Sequence, residues 1–203
     1  MPKIKKIYVG TNLIRPKKIQ TFDFQNDWAL SWVWTSLGYW TPALTSWQWW
    51  YIGSSSGSYQ WQITPPSSIF GWNLKSIKIW FYRPLGTTSN RGFGVWADGT
   101  NARVEYGRFG STSGRLNVYY SSSDHRSSVQ DLTWEIEMDI ILENNWHITV
   151  NLINNWNTYS YDGGACASEF QSERENEWVT LEIARWNYTS AGYIRKVEIT
   201  TLG

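Results

Sequence analysis

The clearest pattern in this sequence is the alternation of hydrophobic and polar residues over short segments. In Leu74–Tyr82, every second residue from Ile77 to Phe81 is apolar, and the segments 132–142 and 146–153 repeat this period of two. Because successive side chains of a β-strand point to opposite faces of a sheet, these segments predict strands with one buried face and one polar face.

Turn-forming residues divide most of the remaining chain into similar segments. Asp98-Gly99 and Asp162-Gly163-Gly164 tolerate positive φ, and Pro65-Pro66 ends another segment. Roughly twelve strands result, which is typical of a two-sheet sandwich. We therefore predict an all-β, two-sheet antiparallel jelly-roll sandwich, in which the polar segment 165–176 is the one candidate for a short helix.

Aromatic residues are concentrated between residues 47 and 61. The chain has 16 tryptophans, more than a core of this size can bury, because each indole N–H needs a partner or a wet edge. The segments 47–52 and 59–63 flank a Gly/Ser loop and predict a hairpin. Flat rings beside glutamine amides suit a sugar ligand, and the same rings are enriched in subunit contacts. The predicted aromatic platform for one of these roles consists of Trp47, Trp49, Trp50, Tyr51 and Trp61.

The chain begins with a basic segment that has no acidic residue before Asp23. Such a run is either a solubilising terminus or an anchoring arm, and strand-forming residues within it could extend the edge of a neighbour's sheet. We interpret residues 1–18 as an N-terminal attachment arm and residues 19–203 as the sandwich domain. The candidate contacts in the arm are Lys5, Lys6, Ile7, Tyr8 and Arg15.

Composition excludes several classes of function. The net charge of +1 gives no electrostatic case for nucleic acid. No apolar run approaches the ~20 residues that cross a bilayer, and the N-terminus lacks the features of a signal peptide. Cys166 is the single cysteine, so no internal disulfide forms, and we expect folding in a reducing cytoplasm.

Four segments resemble motifs of the concanavalin A-like, laminin-G-like superfamily. The segment 74–84 is similar to the strand that this superfamily writes as "tisaWvrp", and 146–150 to its "WHhvav" strand. The segments 159–163 and 193–199 are similar to its "lYvDG" hairpin and its closing "yIdeVri" strand. The order and spacing agree over about residues 70–203. The resemblance implies a jelly roll, and it leaves calcium open as a ligand of the loop residues Asp98, Asp124 and Asp162.

Residues 3–16 resemble a short leader found on tail and other virion proteins of bacteriophages. This likeness implies a virion structural or receptor-binding protein that joins other virion proteins through its arm. The expected localisation is the virion, after synthesis in the bacterial cytoplasm. We expect homo-oligomers, although no heptad pattern supports a particular number of subunits.

One row of carboxylates is a candidate for catalysis. Glu135, Glu137 and Asp139 share one face of a predicted strand, and family 16 glycoside hydrolases of the same fold use a similar E-x-D-x-E row. The row departs from that pattern, because Ile141 stands where the acid/base glutamate belongs. We therefore expect a solvated polar face and no enzyme, with the hydrolase kept as an alternative.

We predict no metal site and no cofactor, and calcium is left open only by the resemblance. The two histidines, His125 and His147, are far apart in sequence, and His125 lies in a predicted Ser-rich loop. The function that we expect is a bacteriophage virion protein whose jelly roll binds a host-surface glycan. The other alternative is a purely structural subunit that uses its tryptophans for self-assembly. Lesser binding candidates, near predicted loops, are Trp156, Trp186 and Tyr188.

Overall fold

The computed structural model describes an all-β arrangement over the greater part of the chain. Within it there is no helix, and hence none long and apolar enough to span a membrane. The predicted helix at 165–176 lies outside the described residues. The structure describes residues 7–9, 12–14, 17–23, 34–37, 43–44, 50–52, 60–63, 74–83, 91–96, 103–108, 114–120, 123–143, 147–164 and 192–202.

The strands are short and antiparallel, as the alternation predicts. They are β1 (Ile7–Val9), β2 (Asn12–Ile14), β3 (Lys17–Asp23), β4 (Trp34–Leu37), β5 (Ala43–Leu44), β6 (Trp50–Ile52), β7 (Gln60–Ile63), β8 (Leu74–Arg83), β9 (Arg91–Trp96), β10 (Arg103–Arg108), β11 (Gly114–Tyr120), β12 (Ser123–Val129), β13 (Trp134–Leu142), β14 (Ile148–Asn154), β15 (Asn157–Asp162) and β16 (Gly192–Leu202).

The larger sheet has eight strands, in the order β15-β14-β13-β8-β16-β6-β5, with β3 also paired to β16. One edge of β16 is shared between two strands: Gly192–Ile194 pairs with β6, and 196–202 pairs with β3. Its other edge pairs with β8, where a register shift between Ile194 and Lys196 leaves Arg195 as an extra residue. The strand β16 therefore connects β3 and β6 on one side to β8, at the centre of the sheet, on the other.

The smaller sheet has four strands in the order β12-β11-β10-β9. Its edge strand β12 contains Asp124, His125 and Arg126, which were predicted to lie in a loop. That prediction is wrong, because β12 pairs with β11 over its full length, from Gly114 opposite Val129 to Tyr120 opposite Ser123. Backbone hydrogen bonds to β11 impose the strand on a segment whose side chains carry no hydrophobic alternation.

The hydrophobic core is formed by the facing sides of the larger and the smaller sheet. Ile77, Ile79 and Phe81 of β8 are fully buried, and the Phe81 ring lies 6.3 Å from that of Tyr106 in the smaller sheet. Burial of each aliphatic side chain of this kind stabilises the fold by about 1.5–3 kcal/mol. The alternation predicted for β8, β13 and β14 is confirmed, since the apolar positions of each are buried.

A corner between the two sheets is fixed by one tyrosine. The Tyr106 hydroxyl donates a hydrogen bond to the Gln130 carbonyl (2.9 Å) and accepts one from the Leu132 backbone N–H (2.7 Å). Gly114 lies under the same corner, where a Cβ would come within 2.2 Å of the Gln130 carbonyl oxygen. Only glycine fits there, so the chain can pass closely from β12 to β13.

The hairpin predicted for the aromatic segments is not formed. Instead, β6 pairs with β5 and β16, whereas β7 pairs with β4 in a separate two-stranded sheet. Because β6 pairs with β16, which is distant in the sequence, a long-range pairing replaces the predicted local pairing of the two aromatic segments. Near the N-terminus, β1 pairs with β2, and β3 joins the large sheet from Lys17, inside the segment interpreted as the arm.

Candidate functional site

The carboxylate row lies on the face of the large sheet that points away from the core. Ile136, Met138 and Ile140 of β13 are buried, so Glu135, Glu137 and Asp139 share the opposite face, as predicted. Register places Glu137 opposite Trp80, and Asp139 opposite Lys78, on β8. The central strands of the sheet therefore bring acidic, basic and aromatic side chains together.

Each carboxylate of the row has a cationic neighbour. Lys78 Nζ lies 3.2 Å from Glu137 Oε1 and 3.4 Å from Asp139 Oδ2. Arg195, the extra residue of β16, places its Nη1 2.6 Å from Glu135 Oε1. Each of the three acids is thus paired with a cation, either from the adjacent strand β8 or from β16 beyond it.

Asp139 is the most buried acid of the row. Its relative exposure is 8%, and its Oδ1 has no hydrogen-bond partner within the described part of the chain. Burial raises the pKa of Asp139 above its usual 3.8, and the attraction of Lys78 lowers it by less. Burial lowers the pKa of Lys78, but Asp139 and Glu137 together raise it above the usual 10.5. Lys78 therefore stays charged at neutral pH.

Trp80 extends this face towards β16. The Lys196 ammonium lies 4.4 Å from the centroid of the Trp80 ring, which is a cation–π contact. Lys196 also forms an ion pair with Glu198. The face therefore consists of partly buried, ion-paired charges around one half-buried indole.

This arrangement supports a structural role for the row better than a catalytic one. A retaining glycosidase needs one free carboxylate as nucleophile and a second as acid. Here Glu137 and Asp139 share one lysine, and a half-buried pair of this kind mainly satisfies the charges of the sheet face. The raised pKa of Asp139 is the one feature that a general acid would share.

Two tryptophans outside the predicted platform reach the surface near one end of β13. Trp156 is 101% exposed and Trp134 is 46% exposed. Trp156 follows Asn155 in the turn between β14 and β15, and both turn residues have positive φ, 49° and 67°. Type I′ turns require a positive φ at both central residues and favour Asn-Gly there. A bulky residue at the second central position, such as Trp156, therefore costs about 1–2 kcal/mol.

Trp134 also has a positive φ, of 68°. Asn154 Nδ2 donates hydrogen bonds of 2.8 Å to the carbonyls of Thr133 and Glu135, the two residues that flank Trp134. One amide thus connects the backbone around Trp134 to the turn that carries Trp156. Sequence reasoning took Trp156 as a lesser candidate and missed Trp134. For Trp156, the signal in the sequence is Asn155-Trp156 between two strand segments, at a turn position where Asn-Gly is usual.

The described residues of the predicted aromatic platform lie in two different sheets. Trp50 and Tyr51 lie in β6 at the large sheet, and Trp61 lies in β7 of the two-stranded sheet. Trp47 and Trp49 lie outside the described residues. Of the predicted arm contacts, Ile7 and Tyr8 lie in β1, opposite Ile14 and Leu13. Lys5, Lys6 and Arg15 lie outside the described residues, as do Trp186 and Tyr188.

The residues considered for metal binding are not assembled into a site in the described structure. Asp162 Oδ1 accepts a hydrogen bond from the Gly164 N–H (2.8 Å) and lies 3.4 Å from His147 Nδ1, so it supports its own turn. Asp124 lies in β12, and Asp98 is outside the described residues. No group of three or more His, Cys, Asp or Glu able to hold a metal ion is found in the described ranges.

No protein-family model matches this sequence, and comparison with curated proteins gives no match either. Comparison of the structure, by contrast, finds similar folds. The winged bean acidic lectin complexed with methyl-alpha-D-galactose has a TM-score of 0.62 at 12% identity, and the match covers 91% of this chain and 99% of that one. Lectin II from Ulex europaeus has a TM-score of 0.63 at 9% identity and coverages of 90% and 99%.

An enzyme is also among the similar structures. The apo form of the Crh5 transglycosylase has a TM-score of 0.59 at 12% identity, with coverages of 91% and 85%. Identities this low establish the fold alone. The fold of the chain is an antiparallel jelly-roll sandwich similar to that of legume lectins, as predicted.

Proposed function

We propose that this protein is a non-catalytic carbohydrate-binding jelly roll. The observation that carries the proposal is the position of its tryptophans. The core of the described residues contains no tryptophan, and the indoles whose burial is described, Trp80, Trp134 and Trp156, are half-buried or exposed. Surface indoles beside amide side chains suit the stacking and hydrogen bonding that sugars require.

The balance of charges on the sheet face supports a binding role over hydrolysis. Lys78 is paired with both Glu137 and Asp139, and Arg195 is paired with Glu135. Transglycosylation or hydrolysis is the second candidate, favoured by the raised pKa of Asp139 beside Glu137. The similarity of the fold to that of a transglycosylase is a second reason to test this candidate.

A glycan array with the full-length chain tests both candidates. We expect binding that is weakened about tenfold or more in W49A or W61A, because loss of a stacked ring from a binding hot spot exceeds ~1 kcal/mol. The same preparations are assayed for release of reducing ends. Turnover of a β-glucan that disappears in E137Q would establish the enzyme and contradict the binding proposal. An array without signal for the unmodified protein would also contradict it.

We further propose that the glycan-binding domain is part of a bacteriophage particle. The resemblance of residues 3–16 to a virion leader supports this role, as does the hairpin of β1 and β2, which in the described structure forms a sheet of its own. A two-stranded hairpin alone is marginally stable in water, so a neighbouring virion protein would stabilise it. Self-assembly through the tryptophans without a glycan remains the structural alternative, and silence on the array combined with polymerisation would favour it.

A further inference from the structure

We propose that Trp156 and Trp134 form a carbohydrate contact of their own at the end of β13, separate from the predicted platform. The ligand class is a pyranose ring, whose apolar face would stack on the Trp156 indole. This inference rests on the proposed carbohydrate-binding function, but it names a different site.

The Trp156 side chain has no role in the fold that explains its presence. It is fully exposed, so packing gains nothing from it. Its backbone has a positive φ of 67°, where glycine is the favoured residue. A bulky residue that is both strained and unpacked indicates a use outside the folded chain, since strain of this kind collects at functional sites.

The turn that carries Trp156 is connected to β13 by side-chain hydrogen bonds. Asn154 Nδ2 contacts the two carbonyls around Trp134, and Asn155 Nδ2 lies 3.4 Å from Asn154 Oδ1. The register of β13 and β14 runs from Leu142 opposite Ile148 to Glu137 opposite Ile153, so the turn lies at the end of β13 that contains Trp134. Such a support for exposed rings reduces the ordering cost of binding.

Polar groups next to the two indoles favour a sugar over an apolar partner. Asn155 and Asn157 are exposed amides on either side of Trp156. Glu135, which follows Trp134 in the chain, forms an ion pair with Arg195 in which both side chains are about half exposed, at 48% and 41%. Amides and charged groups beside a flat ring provide the donors and acceptors that hydroxyl groups need. A protein partner would instead favour a wider apolar surround.

The test compares variants of the full-length chain on an array of immobilised bacterial and plant polysaccharides, followed by titration with the best-bound oligosaccharide. We expect W156G and W156N to weaken binding about tenfold or more, and W156Y to keep most of it because a ring remains. Glycine and asparagine both tolerate positive φ, so the midpoint of thermal unfolding is expected to stay equal or to rise. The matched control is I19A, which removes an exposed side chain (64%) from β3 and is expected to bind normally.

The outcomes separate this inference from the broader proposal. If the unmodified chain binds a glycan and W156G and W156N bind it equally well, the Trp156 site is wrong while carbohydrate binding stands. If no glycan binds the unmodified chain, both are wrong. If the Trp156 variants change only association with another protein and not glycan binding, the site belongs to a protein partner and the sugar assignment is overturned.

Discussion

At the scale of single residues, the polar face of the large sheet shows how an acid is tolerated at 8% exposure. Asp139 has a lysine near one carboxylate oxygen and no partner for the other in the described structure. Burial is the largest cause of its raised pKa, and repulsion from Glu137 and Glu198 adds to it, whereas the attraction and hydrogen bond of Lys78 lower the pKa. The sequence alone presents Asp139 as one of three equivalent acids.

The raised pKa of Asp139 predicts a dependence of stability on pH. The folded protein retains a proton at Asp139 at pH values where the unfolded chain, with its usual pKa of 3.8, has released it. The stability contributed by protonated Asp139 is therefore present below pH 3.8 and is lost as the pH rises through the raised, folded-state value. In D139N this loss is absent, so we expect the variant to gain stability relative to the unmodified protein over that rise.

Urea unfolding at a series of pH values from 3 to 7 measures this difference. E143Q is a suitable control, because Glu143 is exposed and receives a hydrogen bond from Thr149 Oγ1 at the end of β13. If the unmodified protein instead gains stability relative to D139N as the pH rises, the assignment of the burial cost to Asp139 is wrong.

At the scale of elements, the two sheets are connected directly where β12 passes into β13. Tyr106 bonds both to the Gln130 carbonyl and to the Leu132 N–H, and Gly114 leaves room for the chain to pass. Neither residue stands out in the sequence, because the role of each depends on a segment that is remote along the chain. The corner positions β13, and with it the carboxylate row and Trp134.

Replacement of Tyr106 by phenylalanine is expected to destabilise the fold. Y106F keeps the buried ring but removes both hydrogen bonds of the hydroxyl, to the Gln130 carbonyl and from the Leu132 N–H, which costs about 1–3 kcal/mol. Urea unfolding measures the loss, and Y159F on edge strand β15, where the side chain is only partly buried, is the control with an expected change within about 0.5 kcal/mol. Equal stabilities of Y106F and Y159F would show that the corner contributes nothing.

At the scale of the whole molecule, the N-terminal region divides between two roles. The strand β3 begins at Lys17 and pairs with the C-terminal strand from Lys17 opposite Leu202 to Asp23 opposite Lys196. The hairpin of β1 and β2 forms a separate sheet in the described residues. The strand β3 therefore begins inside the segment that was predicted to be the arm, whereas β1 and β2 do not join the large sheet.

Deletion of residues 1–16 tests this division. Every described strand of the large sheet remains, so we expect the midpoint of thermal unfolding to change by no more than a few degrees, equivalent to about 0.5 kcal/mol. If the arm attaches the protein to a virion, the shortened chain folds but no longer joins the particle. Deletion through residue 23, which removes β3, is the contrasting variant and is expected to unfold the domain. Normal incorporation of the shortened chain would refute the attachment role.

The success of sequence reasoning varied with the kind of contact involved. It identified the buried faces of β8, β13 and β14, because side-chain alternation is a local property of each segment. It missed β12, whose polar residues are held by backbone bonds to β11. It paired the segments of β6 and β7 because they are neighbours in sequence, whereas β6 instead pairs with the distant β16.

By itself, the sequence determined the strands β8, β13 and β14 with their inward faces, the sandwich class and the excess of indoles over what the core holds, since all of these follow from local periodicity and composition. Only the tertiary structure decided which strands are neighbours, which cation faces each carboxylate, and that Trp134 and Trp156 lie near the same end of the large sheet. These arrangements depend on register between segments far apart in the chain, and register follows from the packing of whole sheets rather than from any one segment.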